Sequence, residues 1–362
     1  MDARTKLAQR EGEIVMAELP QSVAYSAWYQ ILIKAGFILI SRGKVGEMYA
    51  VPGHPEWILI LRTDRLSIFD FVLNTLVALK GEVLTALTHY WLSTVLRDLP
   101  NHMVWSTQNE NWNAAVDLKK VYPFLPVERC LVIKRCSILP FEMIYRLLLG
   151  GSVWKSYLKD GIVAGQRMPE NMQKWGRLPA PILTPSTKAD TGHDINISVQ
   201  EFYEKAGTIG HPADDLLREA YIRCIAKAAK AGIIIADTKF EIGIDEKGNP
   251  MIADEVLTTD SSRFMEEENW REATDNGCDP AFYDKEVVRE VGRSVEFRTA
   301  SGEIIKGINN LEPDNPEHLA LVHAWKVPEK VVSDTTERYL EIFERLIGMS
   351  LEEYQHKHMG VE

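Results

Sequence analysis

Cysteine is scarce in this chain: Cys130, Cys136, Cys224 and Cys278 are the four thiols in 362 residues. No two stand in C-x-x-C spacing, so neither a zinc ribbon nor a redox pair is on offer. Free thiols of a reducing compartment are the plain expectation. Long apolar runs are also missing. The most apolar early stretch, residues 31–40, is broken by Lys34 and is too short to span a bilayer. The first residues carry Asp2, Glu11 and Glu13 and no signal-peptide core. A cytoplasmic protein without a membrane segment is therefore expected. Positive charge is in deficit, with 41 Lys and Arg against 52 Asp and Glu and a net charge of -11. That disfavours nucleic acid or an anionic membrane as partner, although a local basic cluster can still hold a small anion. Internal repeats and low-complexity tracts are absent.

What remains is an ordinary globular composition, 45% hydrophobic and 26% charged, long enough for one large or two ordinary domains. Residues 1–36 read as a helical extension with Tyr25, Trp28, Ile31 and Ile33 as apolar contacts. Residues 37–79 are β-rich, with strands expected at 37–40, 48–51 and 57–61. Residues 82–97 have helical spacing, as do 213–231 and 334–348. Residues 131–133 suggest a further strand and 142–149 a helix ended by Gly150-Gly151. The proline-rich passage 178–185 is expected to be a loop. The order of hairpins and separate helices points to an α+β fold rather than a βαβ series.

The chemistry concentrates in residues 232–264. Ile233, Ile234 and Ile235 run into Asp237, Lys239 and Glu241, three charges on one strand face. Glu246-Lys247-Gly248-Asn249 is turn chemistry; a four-residue loop there would set Glu241 opposite Asp254. Facing carboxylates beside a lysine repel one another unless a cation lies between them, which suits Mg²⁺ against phosphates. A solvated strand face with charges paired across it is the alternative. Four further segments carry reactive groups. Gly43 and Lys44 stand in a glycine-bearing turn that can approach phosphate. The segment 63–70 puts Asp64, Arg65 and Asp70 at a strand end, where charge is costly if buried. Arg146 precedes Gly150-Gly151-Ser152, a turn that can present donors to an anion. Ser186, Thr187 and Lys188, followed by His193 and Asp194, occupy a proline-bounded loop.

The ordered motifs RGKV, TDRLSIFD, KGEVLT, GGSVWKSY, TPSTKAD with GHDINIS, IIIADTKFEIG and DEVLTTDSSRF resemble those of the phosphoribosylaminoimidazole-succinocarboxamide synthase (SAICAR synthetase) family over about residues 37–300. The resemblance implies an N-terminal extension (1–36), a β-rich nucleotide-covering domain with an antiparallel sheet (37–135) and a larger α+β part (136–362) whose ATP site is ATP-grasp-like or kinase-like. It implies an ATP-dependent carboxylate–amine ligase of purine biosynthesis that uses Mg²⁺ and joins the carboxylated aminoimidazole ribotide (CAIR) to L-aspartate, giving SAICAR, ADP and phosphate through an acyl phosphate. By resemblance, Lys239 neutralises developing charge and Asp70 takes the proton of the reacting amine. Gly43 and Lys44 cover the nucleotide phosphates, and Glu241 and Asp254 hold the metal. Arg146, Ser152, Arg263, Ser186, Thr187, Lys188, His193 and Asp194 hold substrate. Gly46, Leu147-Leu148, Thr259 and Met265 depart from the family pattern. Two other readings stand beside it: a diverged carboxylate–amine ligase with another substrate pair, motivated by Gly46 and Leu147-Leu148, and a nucleotide-binding module without catalysis.

Overall fold

The computed structural model describes residues 26–188 and 195–362. The first sheet is built from consecutive antiparallel strands: β1 (Ile38–Arg42), β2 (Gly46–Val51), β3 (His54–Arg62) and later β6 (Cys130–Lys134), in the order β1-β2-β3-β6. The run Trp57-Ile58-Leu59-Ile60-Leu61 is apolar at every position because both faces of β3 are covered. Ile58 and Ile60 enter the main core, while Leu59 and Leu61 pack with Tyr49, Phe37 and Leu118 on the other side. Of the expected N-terminal extension, the helix Tyr29–Lys34 adds Leu32 to that second cluster; Tyr25 and the residues before it lie outside the described residues. Between β3 and β6 the chain forms a small hairpin, β4 (Arg65–Ile68) and β5 (Phe71–Leu76), then the helix Lys80–Tyr90.

The second sheet has six strands, with β7 (Ser137–Ile138) and β8 (Phe141–Leu148) entering first. The short hairpin β9 (Ile162–Val163) and β10 (Gln166–Arg167) stands apart from it; β11 (Arg177–Thr187) then rejoins. The twelve-residue β12 (Ile233–Ile244) is its spine. The first half pairs with β8 and with β14 (Ser262–Glu266), the second with β13 (Pro250–Ala253) and β7. A last hairpin joins β15 (Glu296–Arg298) to β16 (Ile304–Lys306). The helices Gly210–Ala229, Glu329–Ile347 and Leu351–Met359 complete the main core, in which Leu217, Tyr221, Tyr339, Phe343 and Tyr354 meet Ile235, Phe240 and Phe264.

Three expectations are corrected. Residues 141–148 form β8, not a helix: a short apolar run is ambiguous between the two, and here Glu142, Ile144 and Arg146 alternate with buried Phe141, Met143 and Tyr145. Residues 177–187 form β11, not a loop. It lies at the sheet's edge, where Pro179 and Pro181 fall within an irregular stretch and forgo no ladder bond. The β12–β13 register puts Glu241 opposite Ala253, one residue from the expected Asp254. The loop holds five residues because Asp245 accepts from the backbone N–H groups of Lys247 (2.9 Å) and Asn249 (2.7 Å), and Gly248 takes a positive φ of 83°. Among the described residues no helix is long and apolar enough to cross a membrane.

Candidate active site

The two sheets and the β4–β5 hairpin enclose a cleft of about 610 Å³. One wall is apolar: Met48, Ile58, Ile60 and Ile133. The other is charged: Lys44, Asp70, Lys188, Lys239, Glu241 and Asp254. Alternation along β12 delivers Lys239 and Glu241 to the same side. Lys239 Nζ lies 2.7 Å from Glu142 Oε1 on β8, and Lys188 Nζ lies 2.7 Å from Glu241 Oε1. Asp254 directly follows β13 with a φ of 56°, a left-handed conformation uncommon outside glycine. Such strain accumulates at functional sites. Its carboxylate accepts from Arg62 Nη2 (3.1 Å), while Arg62 Nη1 donates to Glu255 (2.7 Å).

These groups perturb one another. Burial, and then the charge of Asp254, push the Glu241 carboxyl up against the opposing pull of Lys188 and Lys239. Burial also opposes ionisation of Asp254, but Arg62 and Lys239 outweigh it and hold that carboxyl below its usual range. For Lys239 burial pulls the ammonium down; Glu142, with Glu241 and Asp254, more than compensates and keeps it charged. The site is thus two carboxylates sharing a crowded, lysine-lined space.

Lys44 sits in the β1–β2 turn, where Gly43 N–H bonds the Gly46 carbonyl (2.9 Å). Arg65, buried, braces that turn by donating to the Gly43 and Gly46 carbonyls (3.0 and 3.1 Å). Asp70 ion-pairs with Lys44 from the two-residue turn Phe69-Asp70, both with positive φ as a type I′ hairpin demands. Of the charges in the segment 63–70, only Asp70 lines the cleft. Asp64 accepts from Gly81 N–H (2.9 Å) and pairs with Arg129.

A second cleft of about 790 Å³ adjoins the first, and Arg289 lines both. Ser152 and Arg263 face the second, with Lys155, Arg293, Trp175 and Phe282. Arg263 lies over the Trp175 ring at 4.9 Å and donates to Asp237 (Nε to Oδ1, 2.9 Å). Gly151 has a φ of 62°, and a Cβ there would come within 2.8 Å of the Arg263 guanidinium, so only glycine fits. Arg146 lines neither cleft: it is buried, bonded to Thr184 Oγ1 (2.9 Å) and to Asp237, behind Arg263. Ser186 is buried on β11, and Thr187 Oγ1 accepts from Ile195 N–H (3.3 Å); neither lines a cleft. His193 and Asp194 lie outside the described residues. Gly46 stands beside Arg62, whose Cδ and Nη1 would be in ordinary contact, at 3.5 Å, with a Cβ there. Leu147, Leu148 and Met265 are core residues and Thr259 is buried, all away from either cleft's lining.

Further residues line the main cleft beyond those expected from the sequence, among them Arg62, His102, Asp260, Lys285 and Arg289. Arg62 and Asp260 could have been found, the first closing a buried strand, the second within DEVLTTDSSRF. Lys285 and Arg289 are four apart at the start of the short helix Glu286–Ser294.

The SAICAR synthetase family model matches residues 39–302. A phosphoribosylaminoimidazole-succinocarboxamide synthase of Thermodesulfovibrio yellowstonii is 36% identical over 309 residues, covering 85% of this chain and 94% of that protein. The Saccharomyces cerevisiae protein of that name is 33% identical over 327 residues, covering 86% and 94%. The solved structure of the SAICAR synthase from Saccharomyces cerevisiae complexed with SAICAR superposes with a TM-score of 0.68 at 32% identity, covering 87% of this chain and 96% of that one. A type-2 SAICAR synthetase in complex with ADP, 18% identical, shares the fold at a TM-score of 0.55, covering 86% of this chain and 98% of that one. With the motifs spread over both sheets and the matched span covering most of the chain, this protein belongs to the SAICAR synthetase family.

Proposed function

We propose that this chain joins CAIR to L-aspartate at the expense of ATP, releasing SAICAR, ADP and phosphate. The observation that carries the reading is the single cleft in which Glu241, Asp254, Lys44, Lys188 and Lys239 converge beneath the first sheet. A carboxylate is a poor acyl donor until its oxygen becomes a good leaving group. ATP supplies that by phosphorylating the CAIR carboxylate. The amine of aspartate then forms the C–N bond as the C–O bond to phosphate breaks, and its proton passes to Asp70. Lys239 and Lys44 neutralise charge on the transferred phosphoryl group, the main contribution a protein can make to such a transfer.

Glu241 and Asp254 suit Mg²⁺. Among the described residues no group of three or more His, Cys, Asp or Glu side chains converges to hold an ion. Two carboxylates whose charges oppose each other are the donor set of a metal that keeps its waters and takes phosphate oxygens. Bound there, the ion would neutralise phosphate charge. We assign the second cleft to the ribotide: Arg263 and Ser152 would take its phosphate or carboxylate, Arg263 being suited to bidentate contact, and Arg146 would hold Arg263 in place through the shared Asp237. Lys188, which lines the main cleft, would complete the substrate site in this reading together with His193 and Asp194, with Ser186 and Thr187 holding the end of β11 that carries it. The two-part arrangement is that of a kinase-like or ATP-grasp-like site. The diverged-ligase alternative loses one motive, since Leu147 and Leu148 pack in the core.

The test is ADP release from the purified protein with Mg-ATP, CAIR and L-aspartate, omitting each in turn. Release that needs both substrates, with SAICAR formed, is the expected result. ADP release that ignores CAIR would sink the reading.

A further inference from the structure

We infer that Ser26 is a positioning residue for the turn that carries Lys44, and that it acts on that turn through the buried pair Glu47–Arg65. The inference rests on the nucleotide reading above and deepens it at Lys44. Glu47 is the second residue of β2, just past the turn, and is 0% exposed. A carboxylate in such a place is costly unless donors surround it. Its Oε1 accepts from Ser26 N–H (2.8 Å) and from Arg65 Nη1 (3.3 Å). Its Oε2 accepts from Ser26 Oγ (2.7 Å) and Tyr49 Oη (2.6 Å). Ser26 therefore puts two donors on one buried carboxylate, both closer than Arg65. The residues after Ser26 are anchored beside it. Arg129 lies over the Trp28 ring at 5.1 Å and pairs with Asp64, the neighbour of Arg65. Trp28, Tyr29 and Leu32 pack with Tyr49 in the second apolar cluster.

Arg65 is the joint between this anchor and the turn. One guanidinium nitrogen reaches Glu47; the other donates to the carbonyls of Gly43 and Gly46 (3.0 and 3.1 Å), the residues that close the turn around Lys44 and Val45. The guanidinium is rigid and planar, so a shift that improves one contact disturbs the others. With Ser26 in place, Glu47 is supplied and Arg65 divides itself between carboxylate and turn. Without the Ser26 hydroxyl the buried carboxylate is a donor short. Closer approach of Arg65 is the nearest remedy, and it draws the guanidinium off the two glycine carbonyls. Glycine has no side chain to hold the turn in its stead, so Lys44 loses its fixed place over the cleft. A ligand with phosphates should register that loss; one without them should not.

The experiment titrates the full-length protein with ADP and with adenosine, at a temperature where circular dichroism shows every variant folded. Wild type is compared with Ser26→Ala, Ser26→Thr, Lys44→Ala and the double variant Ser26→Ala/Lys44→Ala. Ser26→Ala is expected to bind ADP about five-fold more weakly, part of what a hydrogen bond to a charged group is worth, with adenosine unchanged. Ser26→Thr keeps the hydroxyl and should restore the affinity. In the Lys44→Ala background the Ser26→Ala change should cost less than about two-fold, since the group it positions is gone. Wild-type ADP affinity in Ser26→Ala, an equal loss for adenosine, or an undiminished loss in the double variant would each overturn the inference. A Lys44→Ala protein that binds ADP as wild type does would instead overturn the phosphate-covering role of the turn, and a wild type that binds no ADP the nucleotide reading itself.

Discussion

At the scale of single residues, the cleft is a set of charges that hold one another in place. Lys239 is tied to Glu142, Glu241 to Lys188, Asp254 to Arg62. Lys239→Ala and Asp254→Ala should each lower turnover by about a hundred-fold or more while the fold survives, since the losses fall on charge stabilisation. Circular dichroism with steady-state rates checks this; near-wild-type turnover in either variant refutes the assignment. A second residue sets a pH dependence. Burial pushes the Asp284 carboxyl up from 3.8 to about 6, against Arg289. The folded state then binds this proton more tightly than the unfolded chain does. Stability from this group is therefore present below pH ~4 and lost as pH rises through about 6, on the order of 3 kcal/mol at 1.36 kcal/mol per unit. Asp284→Asn keeps the acceptor for Glu286 N–H (2.8 Å) and should flatten that slope, melting at or above wild type at neutral pH. Thermal unfolding of both proteins from pH 4.5 to 7.5 reads the difference. Lys239 and Glu241 were legible from alternation along one strand. The pairing of Asp254 with Arg62 was not: the two stand 192 positions apart.

At the scale of elements, strands covered on both faces were legible as continuous apolar runs, β3 and the start of β12 above all. Where the run is short, period alone does not separate strand from helix, which is why residues expected to be helical at 142–149 form β8. The helix Leu351–Met359 shows another limit. Its pattern is weak, yet it docks on the helix Lys80–Tyr90 through Tyr354 Oη and His89 Nδ1 (2.8 Å) and through Gln355 and Glu82 (3.0 Å). Burial pushes the His89 imidazole down from 6.5 to about 4. A depressed histidine contributes stability above pH 6.5 that is lost as pH falls toward 4, about 3 kcal/mol at most. Amide exchange in residues 351–359, corrected for its intrinsic rate, should therefore accelerate between pH 7 and 5. His89→Gln should remove most of that acceleration. Protection that stays constant over this range would show that the joint does not sense the histidine.

At the scale of the whole molecule, the family match ends at residue 302, and beyond it the sequence suggests little more than the helix expected at 334–348. The packing of this last part shows more. Tyr339, Ile342, Phe343, Leu346, Leu351 and Tyr354 belong to the same core as Ile235, Phe240 and Phe264. Tyr339 also reaches the cleft wall: its hydroxyl donates to Asp260 Oδ1 (2.9 Å), whose other oxygen accepts from the fully buried Lys80 (2.8 Å). Burial opposes that charge, but Lys285 and Lys80 hold the Asp260 carboxyl well below its usual range. A buried carboxylate with two lysines and a tyrosine fixes where Lys285 stands in the cleft, and so joins the C-terminal helix Glu329–Ile347 to the site. Such joints form between residues hundreds of positions apart, so no local pattern announces them. Tyr339→Phe keeps the ring and drops one hydrogen bond, worth about 1 kcal/mol and about 2 °C in melting temperature. It should fold and bind ADP. Deleting residues 329–362 strips six or more large side chains from the core at about 2–5 kcal/mol each, more than a domain's whole stability. That chain should not fold, by circular dichroism and by ADP titration. A truncated protein that folds and binds ADP would mean that the terminal helices are an appendage and that the core beneath the cleft stands without them.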